Sequence, residues 1–245
     1  MAFGAYADQD GANRADVIRL LQKIAAETPV RAELETLGFR GENLELAVKH
    51  SQAFVQDPGI AGYMADLLIA ANKGQIPEAA RSGGLVQVLV DRGISHLSLR
   101  EMRHFYRIEQ SVMNAFSVRD CGRTVKGRPQ TKRQRDVASK VEARMSTAAL
   151  KEYYRIQLKA ARLGLRHKAK TLSPAREAKI IEKIYTNLAL RVADTKDARG
   201  LIAAYQNVNR VSNRRACTAG RLFMETVLSL KGDDLRDALI LLSAP

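Results

Sequence analysis

The sequence predicts an all-α protein, an irregular multi-helix bundle of about nine or ten helices with one candidate disulfide. Three observations carry this reading. Apolar residues recur at helical spacing through most of the chain, as in Val17, Leu20, Leu21 and Ile24, which share one helical face. Capping residues, Pro and Gly punctuate these periodic stretches at helix-like intervals. Aromatics make up only 5% of the residues, with no Trp, so a core must come from Leu, Ile, Val and Ala, which helical packing allows.

The first helix is expected to begin at a cap on Asn13 or Asp16 and to end before Thr28-Pro29. A second runs from Gly41 to about Gln56. Asp57-Pro58 separates it from a third over about 59–72. Residues 73–83, with Gly74, Pro77 and Gly83, read as a loop. A short buried helix follows over 85–91, stopped by Gly93; the alternation of Val86, Val88 and Val90 leaves a strand as the weaker alternative.

Ser98 and Glu101 form a capping box, in which the hydroxyl accepts the Glu101 N–H and the carboxylate accepts the Ser98 N–H. That helix is expected to reach Phe116. Ser117 restarts a turn through Cys121, and Gly127-Arg128-Pro129 is the clearest break in the chain. Lys132 to Lys170 is again helical, with a restart at Ser146. Ser173-Pro174 places a cap before Pro at the first helical position. Helices are expected to about Val192, from Thr195 to Val211, from Asn213 to Leu230, and, capped by Asp233, from Leu235 to Leu242.

Two of these helices resemble each other at an offset of 48 residues. Leu97-Ser98, Met102 and Phe105-Tyr106-Arg107-Ile108 match Met145-Ser146, Leu150 and Tyr153-Tyr154-Arg155-Ile156. One pair does not make a solenoid; it predicts two helices with the same packing role.

The expected organisation is a flexible terminus over 1–12 and a single helical domain over 13–245, with a basic loop at about 122–134. Hydrophobic residues make up 46% of the chain, which excludes a disordered one. No apolar run approaches the ~20 residues needed to span a bilayer, so no transmembrane segment is expected.

The net charge of +14 is unevenly placed. Residues 1–118 carry 12 basic and 14 acidic groups, residues 119–176 carry 17 and 4, and residues 177–245 carry 11 and 8. The central stretch has two parts. Arg119, Arg123, Lys126, Arg128, Lys132, Arg133 and Arg135 crowd a turn and loop. Lys151, Arg155, Lys159, Arg162, Arg166 and Lys170 step by three or four and draw a line along one helix face, about 30 Å long. The apolar line Leu150, Tyr154, Leu158, Ala161 and Leu165 lies about 100° round the same helix. Like charges at this spacing oppose helix formation by ~0.2–0.5 kcal/mol each. Acidic partners within the fold, with Glu33, Glu35, Glu42 and Glu45 as candidates, or an anionic ligand must offset that.

Chemical motifs are few. Glu101-x-x-His104 has di-iron ligand spacing, but the second copy and two further inward carboxylates are missing. Gly122 to Gly127 has the glycine spacing of a phosphate loop, yet Arg128-Pro129 follows in place of Lys-Ser/Thr. Cys121 lies among arginines that would lower a thiol pKa, with no orienting His assigned. No catalytic residue, metal or cofactor is assigned.

Cys121 and Cys217 have no metal-ligand spacing. Bridged, they would close a loop worth ~4–5 kcal/mol in the chain-entropy treatment; reduced, they would be small core residues. At the N-terminus, Ala5-Tyr6-Ala7 has the small-x-small form of an export cleavage site, without a basic or apolar region before it. It reads either as the end of a trimmed signal peptide or as an ordinary terminus.

The segments Phe116-Ser117-Val118-Arg119-Asp120-Cys121 and Ala216-Cys217-Thr218-Ala219-Gly220-Arg221-Leu222-Phe223, with Val227-Leu228-Ser229-Leu230 after the second, resemble a pattern in exported helical proteins of proteobacteria that have no assigned activity. The resemblance implies a periplasmic or secreted location and a disulfide between Cys121 and Cys217. It implies no activity, and it does not extend to the basic centre. A cytoplasmic location is the alternative.

The function expected is non-catalytic binding of an acidic protein surface through Arg123, Lys126, Arg128, Lys132, Arg133, Arg135, Lys151, Arg155, Lys159, Arg162, Arg166 and Lys170. Inhibitor or immunity-type proteins fall in this class. The alternative is a nucleic-acid-binding or regulatory protein contacting phosphates through residues 119–170. No zinc-finger spacing or aromatic RNA-binding strand supports it, so its contacts would be salt-sensitive and without base readout. No small-molecule ligand is assigned.

Overall fold

The computed structural model describes residues 13–27, 30–72, 86–193 and 195–243. Among them all regular structure is helical, without a strand. The helices are α1 (Arg14–Glu27), α2 (Val30–Thr36), α3 (Gly41–Gln56), α4 (Pro58–Asn72), α5 (Gln87–Ile94), α6 (Leu99–Ala115), α7 (Val118–Val125), α8 (Lys132–Ala143), α9 (Thr147–Arg166), α10 (Pro174–Ala193), α11 (Ala198–Gln206), α12 (Asn213–Ser229) and α13 (Gly232–Leu242), with a 3₁₀ turn at Val208–Arg210. The expected terminus over 1–12, the Ala5-Tyr6-Ala7 motif, the Thr28-Pro29 stop and the loop over 73–83 lie outside the described residues.

Thirteen α-helices among the described residues correct the expected nine or ten. Val30–Thr36 is an added helix. The turn after Ser117 is a full helix, because the Ser117 side chain caps it by accepting the Asp120 N–H. The stretch from Lys132 divides into α8 and α9 at the expected restart, with Ser146 as the second cap. Residue 88 lies in α5, so the strand alternative fails there. Gly93 lies inside α5 and does not stop it. Asp233 is not a cap: α13 starts at Gly232, and Asp233 and Asp234 sit in its first turn, where carboxylates suit the helix dipole.

The contacts divide the chain into two compact units, one over residues 1–93 and 146–167, the other over 94–145 and 168–245. In the first, α1 packs on α3 and α4, α2 packs on α3, and α9 packs against α3 and α4. Its core holds Ile60, Ala61, Ala65, Leu89, Leu150, Ile156, Ala160 and Ala161, all without solvent exposure. Asp57 organises the start of α4. Its Oδ1 accepts the N–H of Gly59 at 3.0 Å and of Ile60 at 3.1 Å, with Pro58 at the first helical position.

In the second unit α12 is the hub, packing on α6, α7, α10, α11 and α13. Cys121 of α7 and Cys217 of α12 are joined in a disulfide inside a cluster with Val112 and Phe116. The two helices run close at this point: a β-carbon at Gly122 would stand 2.3 Å from the Asn213 carbonyl oxygen. α7 ends in a Schellman motif. Gly127 takes a positive φ of 66°, and the N–H groups of Gly127 and Arg128 donate to the carbonyls of Thr124 and Arg123.

Gln134 connects α8 to α7. It is fully buried, and its Oε1 accepts from the Thr131 N–H and hydroxyl. Its Nε2 donates to the Asp120 carbonyl at 3.1 Å and to the Thr124 hydroxyl at 2.9 Å. A buried amide is stable only when its oxygen and nitrogen both find partners, and here they do.

Candidate anion-binding surfaces

The twelve candidate partner-binding cations, expected as a loop cluster and a helix ridge, fall in different units. Lys151, Arg155, Lys159, Arg162 and Arg166 lie on α9 in the first unit; Arg123, Lys126, Arg128, Lys132, Arg133, Arg135 and Lys170 lie in the second.

On α9 the five cations are all exposed. Across the helix Leu150, Tyr154 and Ala161 are buried, and Leu158 and Leu165 are half-buried. The two-faced pattern thus exists in the folded chain. The ridge is shorter than expected. α9 stops at Arg166, with His167 in extended conformation, so Lys170 is not on the helix. The line from Lys151 to Arg166 is about 22 Å long at ~1.5 Å per residue.

Two of its members hold identified carboxylates. Arg155 makes a two-pronged contact with Glu152 at 2.7 and 2.8 Å. The Arg162 Nε lies 2.7 Å from Asp57 Oδ2. Burial pushes the Asp57 carboxyl up, but the Arg162 guanidinium and the amides of Ile60 and Gly59 outweigh it and hold the group below the usual carboxylate range. Glu45, one of the expected acidic partners, pairs with Arg31 instead. Lys151 and Arg166 make no ion pair with a described residue, so their charge faces outward.

The loop cations are mostly engaged within their unit. Lys126 donates to the Val211 carbonyl at 2.6 Å, and Arg135 donates to that of Gln130 at 3.1 Å. Lys132 binds Asp136 at 2.8 Å, and Arg133 lies 3.3 Å from Asp120. Arg123 is half-buried, whereas Arg128 is exposed. Of these contacts Arg133–Asp120 joins α8 to α7, Lys126 reaches the segment before α12, and the other two are local.

Other candidates have structural roles. Glu101 is the arm of the capping box, accepting from the Ser98 N–H at 3.0 Å and hydroxyl at 2.8 Å. Gly122 lies inside α7 and Gly127 closes it, so this pair forms no phosphate loop. Cys121 is oxidised, which removes it as a thiolate nucleophile. The two similar helices, α6 and α9, bury equivalent residues: Met102, Phe105, Tyr106 and Ile108 in one, Leu150, Tyr153, Tyr154 and Ile156 in the other.

Two features had no place in the expected site. His50 stacks on Tyr154 with ring centroids 3.9 Å apart, and its Nε2 lies 2.7 Å from Gln157 Oε1. Burial pushes this imidazole down to about 4, against a smaller opposing effect of the Gln157 bond. The second is a cavity of about 520 Å³ in the second unit, lined by Lys170 together with Lys168, Arg176 and Arg236. Arg236 is 60 residues beyond Arg176, and no local spacing signals that they meet.

No family model, curated protein or solved structure matches the chain.

Proposed function

We propose that the chain is a non-catalytic helical binding protein that engages an acidic protein surface along α9, in an oxidising compartment such as the periplasm or the extracellular space. The observation that carries this reading is the row of five exposed cations on one face of a helix whose other face is buried. Such a row costs helix stability through repulsion; Glu152 and Asp57 relieve it at Arg155 and Arg162, while Lys151 and Arg166 make no ion pair with a described residue. An anionic partner would relieve the rest. The disulfide supports the compartment, since such bonds persist where thiols are not kept reduced. No helix among the described residues is long and apolar enough to cross a membrane.

The test compares two variants of equal net charge. One carries Lys151→Glu, Lys159→Glu and Arg166→Glu on α9. The other carries Arg128→Glu, Lys132→Glu and Arg135→Glu at the loop. Each is passed over immobilised polyglutamate and over immobilised duplex DNA in a salt series. The α9 variant is expected to lose polyglutamate retention at low salt while the loop variant keeps it. Equal loss in both would reduce the effect to net charge and overturn the reading. Retention on DNA to higher salt than on polyglutamate, with the same α9 dependence, would put the nucleic-acid reading in its place.

A further inference from the structure

We infer that the cavity in the second unit is a binding site for a small phosphate monoester with a compact apolar body. The cavity holds about 520 Å³, within the ~300–1,000 Å³ usual for small-molecule sites. Met102 and Ile240, 1% and 8% exposed, give it an apolar base. Lys168, Lys170, Arg176 and Arg236 give it a cationic rim.

The main chain of the rim is held in place, and one of its four side chains is fixed. The segment after α9 is held by two bonds: His96 Nε2 lies 2.7 Å from the Lys168 carbonyl oxygen, and the Lys170 N–H donates to the Ser95 hydroxyl at 2.8 Å. Arg176 is gripped through two nitrogens by the largely buried Asp237, which fixes its guanidinium plane. Asp237 and Asp233 offset the charge of Arg176. Lys168, Lys170 and Arg236 remain as three cations that a dianionic head would satisfy. A phosphate monoester carries nearly that charge at neutral pH, and a compact substituent would cover Met102 and Ile240. The residues of this site lie in the second unit, whereas the α9 ridge belongs to the first.

The experiment is a titration of the full chain with phenyl phosphate, phenol and inorganic phosphate, followed by the ¹³C-methyl NMR signals of Met102 and Ile240. Phenyl phosphate is expected to shift both signals saturably, at least tenfold tighter than either of the other two. Lys170→Gln combined with Arg236→Gln is expected to weaken it at least tenfold. Both side chains are exposed, and circular dichroism would verify the fold; Lys168→Gln serves as a second variant should the double one fail to fold. The α9 triple charge reversal is expected to leave the affinity unchanged, which separates this site from the proposed partner surface. Absence of a saturable shift, or undiminished affinity in the rim variants, would overturn the inference. Equal affinity for inorganic phosphate would overturn the assignment to an ester.

Discussion

Gly93 of α5 and Gly164 of α9 meet at a helix crossing too tight for a side chain on either. A β-carbon on Gly93 would stand 1.8 Å from the Ala160 carbonyl oxygen and 2.9 Å from the Gly164 nitrogen. One on Gly164 would stand 2.0 Å from the Leu89 carbonyl oxygen. The obstacles are backbone atoms, which cannot turn aside as a flexible side chain would. Gly93→Ala or Gly164→Ala should therefore push the helices apart and destabilise the fold by about 3 kcal/mol. In a chain of this length that is roughly 6–12 °C in Tm, measurable by calorimetry. An unchanged Tm in both variants would show that the crossing is looser than described.

His50 makes stability depend on pH. Its folded pKa of about 4 lies below the ordinary 6.5, so between these values the unfolded chain binds a proton that the folded chain refuses. Stability should be full above pH 6.5, fall as the pH drops towards 4, and lose nothing more from this group below that. The loss is at most about 3 kcal/mol. His50→Phe keeps an aromatic ring against Tyr154 and removes the titration. Urea unfolding at pH 7.0 and 4.5 should show a smaller drop in the variant than in the parent. Equal drops would assign the pH dependence to other groups.

The disulfide should behave as a structural bond. Cys121 and Cys217 are 0% and 2% exposed, so a reductant that acts on exposed bridges should leave it intact in the native chain. Once denaturant opens the second unit, reduction should be rapid. Cys121→Ser with Cys217→Ser frees a loop of 96 residues and should cost ~4–5 kcal/mol in the chain-entropy treatment. Mass spectrometry after thiol alkylation, with and without urea, follows the accessibility. Native-state reduction as fast as that of a small disulfide would contradict the burial.

Arg221 closes the end of α6. Its Nη2 lies 3.2, 3.1 and 3.0 Å from the carbonyl oxygens of Met113, Asn114 and Phe116. These are last-turn acceptors without helical donors, at the end of the helix where a cation is favoured. Arg221→Met keeps most of the stem and removes the donors, so it should cost about 1–3 kcal/mol. Hydrogen exchange over residues 112–121 should quicken, with partial recovery in Arg221→Lys. Unchanged exchange would mean that water serves these carbonyls equally well.

What could be read in advance divides along a physical line. The capping box at Ser98 and Glu101, the start at Pro174 and the break at Gly127 were legible because their chemistry is local and spans a few residues. The second capping box, Thr131 with Gln134, has the same spacing but lies within a run of cations whose repulsion opposes a helix start. The end of α9 was not legible. No Gly or Pro marks it, and the chain leaves the helix where distant Ser95 and His96 bind its backbone. The alternation of basic and apolar lines along α9 was visible, since helical geometry alone produces it. That Asp57 serves Arg162 from 105 positions away was not. The separation of the ridge from the basic loop into two units follows from packing, which no charge count reports.

The sequence order of the two units has a consequence for synthesis. The first unit needs α9, yet residues 94–145 of the second emerge from the ribosome before α9 does. A nascent chain therefore presents α1 to α5 without their closing helix, followed by α6 to α8 without their hub, α12. The thiol of Cys121 must wait for Cys217, 96 residues later, or about 5–20 s at ~5–20 residues per second. During that interval the apolar faces destined for α9 and α12 are bare. This chain should lean on holding chaperones more heavily than a protein of equal size whose helices pair in the order they are made.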